Sequence, residues 1–216
     1  MVKNGVVIND HEECKKVKPA TEGDFFTIET VKGEKHEPRT YRARRVVLAL
    51  GARGAPMRLG VDGEGMKIGR NGSSEDKVLY ALSNPDDFTQ KKIVVVGGGN
   101  ASVEAVVDLV ARRNGNQIEF RAPHEINEVT FALRTAFTND VKFLNKQHLY
   151  RCIDEGKVRI LFDTVIKEIR EREVVLEDTW TKEGKGVIEN DYVLALIGGA
   201  APTKFLEEIG VTIPKG

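Results

Sequence analysis

The run IVVVGGGNASVEAVVDLVARR, Ile93 to Arg113, constrains the fold more than any other part of this chain. Four β-branched apolar residues lead straight into three glycines, and an apolar-periodic helix pattern follows without a break. The spacing Gly97-x-Gly99-x-x-Ser102 is the strand–turn–helix opening of a dinucleotide-binding βαβ unit. Gly97 permits a tight turn, and Gly99 has no side chain to hold a pyrophosphate away from the backbone. A helix starting near Asn100 aims its free N–H groups and positive dipole end at the phosphates. Ser102 stands where Gly or Ala would allow the closest packing of helix on strand, and it is small enough to be tolerated. The bland alternative is a glycine-rich βα turn that binds nothing.

Bulk composition narrows the remaining classes. The 216 residues are 40% apolar and 31% charged, as in an ordinary soluble globular protein with one good core or two modest domains. Lys+Arg and Asp+Glu both number 33, so no net charge draws the chain to nucleic acid or to an anionic membrane. No apolar run approaches the roughly 20 residues that span a bilayer. The opening MVKNGVVINDHEECKK has no signal-peptide core, and a reducing cytoplasm is the expected setting. Cys14 and Cys152 form no CxxC pair and read as free thiols. The four histidines lie apart without metal-ligand spacing, so no metal site is expected. Neither a GxSxG elbow nor a Walker lysine is present.

Along the chain, GVVIND, DFFTIET and TYRARRVVLAL read as β structure, HEEC as a turn or helix start, and Val46–Pro56 as a buried strand ending at a glycine. The Gly-rich, charged LGVDGEGMKIGRNGSSEDK reads as a crossing between domains. VLYALSNPDDF reads as a short helix stopped at Asn84-Pro85. The nucleotide-unit helix is expected over about 100–113, closed by Asn114-Gly115, with QIEFRA as the second strand of that unit. A helix over about 140–155 is stopped by Gly156. VRILFDTVIKEIRE and REVVLEDTW follow as strands, then VIENDYVLALIGG as a buried strand and KFLEEIGV as a short helix. The expected architecture is α/β: a Rossmann-like three-layer domain with a β-meander over 66–197. It is flanked by a β-rich segment, 1–65, and a short returning segment, 198–216.

Three ordered segments carry a family resemblance. RRVVLALGARGAPMRLGVDGE, then VLYALSNPDDFTQKKIVVVGGGNASVE, then NDYVLALIGGAAPTKFLEEIGV resemble flavin-dependent pyridine nucleotide oxidoreductases related to thioredoxin reductase. In that family an NAD(P)H-binding domain is inserted into an FAD-binding domain. The resemblance makes 1–65 a partial FAD-domain segment, 66–197 the NAD(P)H domain, and 198–216 the start of the return to the FAD domain. Family members open with their own strand–GxGxxG–helix for FAD and continue to a Gly-Asp motif. This sequence shows one such glycine motif, in its middle, so it is similar to a central slice of the family pattern. The resemblance therefore implies FAD in a complete parent and only doubtful FAD binding by these residues alone. It also implies hydride transfer from NADPH or NADH to flavin and on to an unknown acceptor. LYALSNPDDF occupies the place of the redox CxxC and has no cysteine, so no dithiol relay is expected on this chain.

Candidate coenzyme-binding residues follow from motif and resemblance together. Gly97, Gly98, Gly99, Asn100, Ala101 and Ser102 form the expected pyrophosphate cradle, through backbone N–H groups and the Ser102 hydroxyl. Glu104 matches a family glutamate on the nicotinamide side, or simply complements the helix dipole. Gly198 and Gly199 follow a buried strand end, where ligands of open α/β sheets bind or where a turn merely packs. Gly51 resembles a glycine near FAD. Coenzyme choice is read after the second strand, which places Arg121 and His124 there, with Arg134 further on. Trp180, Tyr192 and Phe162 read as core rather than as a stacking platform. No residue is assigned a catalytic role of its own.

A second class of function stays open. The chain can be a non-catalytic NAD(P)-binding sensor or subunit, with an apolar FAD-side surface covered by self-association or by a partner chain that completes the flavin site.

Overall fold

The structure is a computed structural model that describes residues 7–19, 23–49, 55–70, 73–209 and 211. Two compact units emerge, Met1–Ala55 with Ala200–Gly216, and Pro56–Gly199. In the first unit β1 (Glu12–Pro19), β2 (Phe26–Lys32) and β3 (Glu37–Ala43) form an antiparallel sheet in that order. HEEC thus lies at the start of a strand, because Glu12 and Glu13 pair with Lys32 and Val31. Val17 is buried, but Val7, Ile8 and Val47 are exposed, Val47 by 88%. The expected strand from Val46 is absent over 46–49, where no neighbouring strand offers a ladder. Its remainder, with the Gly51 candidate, lies outside the described residues.

The second unit opens on a polar anchor. The Glu64 carboxylate accepts hydrogen bonds from Leu59 N, Gly60 N and the Tyr80 hydroxyl. Burial works against its charge, yet these donors and nearby Arg58 hold its pKa below the usual carboxylate range. Gly63 sits at φ +80°, where an added Cβ would lie 1.9 Å from Ile169 O. Such contacts bind 56–65 to this unit, so its edge falls before the residue-66 boundary drawn from composition.

From there the chain runs through β4 (Lys67–Arg70), β5 (Ser73–Asp76), β6 (Val78–Leu79) and β7 (Lys92–Val96). The expected helix at VLYALSNPDDF is instead β6 and a 3₁₀ turn, Pro85–Asp87. Asn84 Oδ1 accepts Asp86 N and Pro85 takes the first helical position, so Asn-Pro opens this turn and does not stop it. After β7 come α1 (Asn100–Val110), β8 (Ala111–Asn114), β9 (Gln117–Phe120) and β10 (Glu128–Ala132). Then follow α2 (Phe143–Asp154), β11 (Val158–Leu161), β12 (Thr164–Ile169), β13 (Glu173–Asp178), β14 (Gly184–Glu189) and β15 (Tyr192–Ala195). A short helix, α3 (Thr203–Glu208), belongs to the first unit.

Five strands form one parallel sheet in the order β11-β10-β7-β15-β6. Successive side chains of β7 face opposite layers. Ile93 and Val95 join the core beneath α1 and α2, with Leu109, Phe131 and Leu149. Val94 and Val96 join a second core with Ile166, Val174 and Leu176 of the antiparallel β12-β13-β14 meander. The domain is therefore α/β with three layers: helices, parallel sheet, meander.

The largest departure from the sequence reading follows α1. That helix ends at Val110, and 111–120 form a β-hairpin in which Asn114 pairs with Gln117 around Gly115 at φ +60°. Asn-Gly between extended segments is a hairpin signal, and here it outweighs continuation of the helix. QIEF is accordingly the return strand of this hairpin. The second strand of the βαβ unit is β10, which pairs in parallel with β7. VRILFDTVIKEIRE is likewise two strands in different sheets, broken at Asp163 with φ +49°.

Lys77 is fully buried beside the turns that end β12 and β14. Its Nζ donates to Glu171 O at 2.7 Å and Asn190 O at 2.9 Å. Burial pushes its pKa down to about 8, against the pull of Asp191, Glu171 and Glu173. An unfolded lysine titrates near 10.5, so above about pH 8 the unfolded chain binds a proton the folded chain has lost. Relative to Lys77→Met, the native chain should gain stability as pH rises through this window and lose it as pH falls through 8. Urea midpoints of both proteins across the alkaline range check the sign. Thiol titration checks the packing independently. Cys14 is exposed, whereas burial of Cys152 raises its pKa to about 11. Folded protein should therefore expose one reactive thiol, and unfolding should release the second.

Candidate functional site

The parallel sheet reverses its strand order at β7: β10 and β11 extend to one side, β15 and β6 to the other. Loops leaving the C-terminal ends of β7 and β15 therefore diverge and open a crevice, the usual ligand site of such sheets. Gly97–Gly99 follow β7 on that rim, and Gly198 and Gly199 follow β15 beside them. Gly97 has φ +133°, and a Cβ there would sit 2.4 Å from Leu196 O. A Cβ on Gly98 would sit 2.8 Å from Ala136 O. Both glycines are thus required by packing. A Cβ on Gly99 would meet nothing nearer than Asp140 Oδ2 at 3.6 Å, so Gly99 leaves its backbone open. Gly198 has φ +101°, and its carbonyl accepts Met57 N at 3.0 Å.

Helix α1 begins at Asn100 with Gly99 as its cap, a residue with no side chain to bond the first N–H groups. Those donors and the helix dipole favour an anion there. One anionic group already approaches: Asp140 Oδ2 lies 3.5 Å from Asn100 N. The Thr138 hydroxyl donates to Asp140 Oδ1 and to Gly98 O, and Thr138 N donates to Gly98 O at 2.9 Å. The segment after β10 is thereby clasped onto the glycine turn.

Two candidates prove to be wired internally. Ser102 is fully buried and its hydroxyl donates to Gly99 O at 2.8 Å, so only its backbone N–H remains for a ligand. Glu104 Oε1 accepts Asn145 Nδ2 at 2.9 Å, and the same amide donates to Asn100 Oδ1. This Asn100–Asn145–Glu104 link ties α1 to α2.

Arg121 and His124 lie at the wrong end of the unit. Arg121 donates to the Asp108 carbonyl near the C-terminus of α1 and to Asp86, with its side chain only 3% exposed. Since α1 has 11 residues, that end is about 16 Å from the glycine turn. His124 is exposed in the turn that precedes β10, at the same far edge. The cause is the inserted hairpin, which shifts the true second strand by eleven residues relative to QIEF. Directly after β10 stands Leu133-Arg134, and Arg134 is exposed there, with no ion pair among the described residues. Thr138, Asp140 and Asn145 were not foreseen; their roles depend on partners about 40 positions away.

A model of the pyridine nucleotide-disulphide oxidoreductase family matches residues 1–215. Bacilliredoxin reductase Bdr of Bacillus subtilis is 28% identical over 195 residues, covering 90% of this chain and 51% of that protein. Thioredoxin reductase of Bacillus subtilis is 30% identical over 185 residues, 82% of this chain and 50% of the relative. Ferredoxin–NADP reductase of Thermus thermophilus is 28% identical over 200 residues, 90% and 52% respectively. The chain spans about half the length of the curated relatives it matches. Among solved structures, bacillithiol disulfide reductase Bdr from Bacillus cereus superposes with TM-score 0.71 at 24% identity, covering 96% of this chain and 56% of that one. At that identity the likeness establishes the fold.

The glycines should separate by substitution. Gly97→Ala meets both a positive φ and a backbone oxygen, and should lose more than about 2 kcal/mol of stability. Gly99→Ala adds only ordinary contacts and should lose less than about 1 kcal/mol. Thermal or urea denaturation of the two variants tests the difference.

Proposed function

Since this chain belongs to the pyridine nucleotide-disulphide oxidoreductase family, we propose that Pro56–Gly199 is its coenzyme domain, binding NADPH in preference to NADH. The observation that carries this reading is the open Gly99 backbone at the start of α1, on the rim where the sheet order reverses. Bound reduced nicotinamide supplies a hydride to FAD, from which electrons pass to a further acceptor.

The chain's own part is to hold and orient. Backbone N–H groups of Asn100, Ala101 and Ser102 meet the pyrophosphate, which takes the place now approached by Asp140. Gly198 and Gly199 flank the nicotinamide half beyond β15, and Arg134 faces the adenosine half beyond β10. A guanidinium beside a ribose 2′-phosphate makes charge-assisted bonds that a 2′-hydroxyl cannot return in kind. That asymmetry favours NADPH.

The first unit, with Gly51, is read as this chain's share of an FAD-binding domain. Its exposed Val47 supports a second reading, in which a partner chain or another copy completes the flavin site and this chain is a coenzyme-binding subunit. The electron acceptor lies outside a dithiol on these residues: Cys152 is buried and Cys14 stands far from it in sequence. The relatives' names point to disulfide proteins and to ferredoxin as acceptor classes for the family.

Millimolar NADPH should raise the melting temperature, the stabilisation growing to about 2.7 kcal/mol at a hundredfold excess over Kd. Arg134→Ala should weaken NADPH about tenfold or more, the worth of a charged hydrogen bond, and leave NADH unchanged. Gly99→Ala should weaken both coenzymes while the fold persists. Absence of any shift with either coenzyme overturns the reading.

A further inference from the structure

Trp180 and Phe162 read as core in the sequence, yet the structure leaves them 68% and 49% exposed, and only Tyr192 is buried, packed edge-on against Phe88. Both exposed rings belong to the coenzyme rim. Phe162 directly follows β11, the strand beyond β10, and Trp180 lies in the β13–β14 turn. The antiparallel meander returns that turn to the C-terminal edge of the parallel sheet: Thr179 N donates to Asp163 O at 2.9 Å. The rim therefore carries, in strand order, the glycine turn after β7, Arg134 after β10, and the aromatic pair after β11. At about 4.8 Å per strand the pair lies roughly 10 Å from the phosphate turn.

The exposure is built in. Trp180 Nε1 donates to Asp163 Oδ1 at 3.1 Å, fixing the indole edge. Asp178 Oδ1 accepts Trp180 N and Thr181 N, which fixes the turn. Lys185 Nζ binds the Phe162 and Asp163 carbonyls and stands 2.9 Å from Asp178, clipping the hairpin to the end of β11. Phe162 in turn meets Phe137 edge-on at 6.4 Å, and Phe137 meets Phe131 of the core. A floppy surface tryptophan needs none of these fastenings. An indole held rigidly with its face in water is pre-ordered for a flat apolar ligand.

We propose that Trp180, fastened through Asp163 next to Phe162, is the stacking platform for the adenine of the coenzyme. The inference rests on the coenzyme reading above and adds a residue to that site. The occupant follows from the neighbours on the rim. A purine has a π-face, its ribose 2′-phosphate meets Arg134, and its diphosphate reaches the glycine turn. No apolar peptide would match the two phosphate positions that follow the platform along the rim.

Trp180 is the single tryptophan of the chain, so its emission reports on the platform directly. The probe is 2′,5′-ADP, which carries adenine and the 2′-phosphate but no nicotinamide to absorb tryptophan emission. It should quench Trp180 fluorescence saturably. Trp180→Leu should weaken 2′,5′-ADP and NADPH about tenfold by calorimetry, the loss expected of one base–aromatic stack. Trp180→Phe should restore most of the affinity, and nicotinamide mononucleotide should be indifferent to both changes. Circular dichroism melting verifies that the variants fold. If 2′,5′-ADP binds with unchanged emission and Trp180→Leu keeps full affinity, the platform is refuted while the coenzyme reading stands. If neither 2′,5′-ADP nor NADPH binds the native chain, both are refuted. Emission that responds to a protein partner and not to 2′,5′-ADP refutes the platform as well.

Discussion

Burial of strand β7 on both faces is the constraint from which the rest of the domain follows. Ile93, Val94, Val95 and Val96 are all at most 6% exposed, and alternate residues feed two separate cores. Burying four such side chains is worth on the order of 10 kcal/mol before conformational entropy is counted, as much as the whole net stability of a domain. That gain requires a layer on each side. Helices supply one and the meander supplies the other. With β7 pinned at the centre, its C-terminal end becomes the point where strand order reverses, and the glycine turn has nowhere else to lie.

Polar contacts then decide what the turn can do. Gly97 and Gly98 are consumed by packing against Leu196 and Ala136, while Gly99 keeps its backbone accessible. The Asn100–Asn145–Glu104 link and the Thr138 clasp hold α1, α2 and the segment after β10 in register around it. The inserted hairpin is fastened to this machinery, since Arg113 of β8 donates to Asn145 Oδ1 at 3.0 Å and to Asp108 Oδ1 of α1 at 2.6 Å. Further ties run to α2, through His148 on the Asn116 carbonyl and Arg151 on the Ile118 carbonyl.

The sheet's other rim shows the same economy in a different form. There Lys77 holds together two turns of the meander by their carbonyls; elsewhere in the unit Glu64 gathers three donors, from the entry loop and from Tyr80 just after β6. Each is one charged group used as a multivalent hydrogen-bonding centre.

By itself the sequence determined the α/β class, the βαβ opening at Ile93 and the glycine turn, because these depend on local periodicity and on backbone freedom that only glycine has. It also placed a helix over about 140–155, which forms over Phe143–Asp154, and its stop at Gly156, which has φ +64°. Tertiary structure alone decided which strand sits beside β7. QIEF and EVTFA are both short and apolar, and only pairing with β7 tells them apart, so Arg121 and His124 gave way to Arg134 as the residue after the second strand. The same holds for Ser102, whose hydroxyl turns inward to Gly99, and for Trp180, whose exposure follows from where the meander returns its turn. Hydrophobicity says that a side chain prefers burial; only the packing of distant segments says whether the space is there.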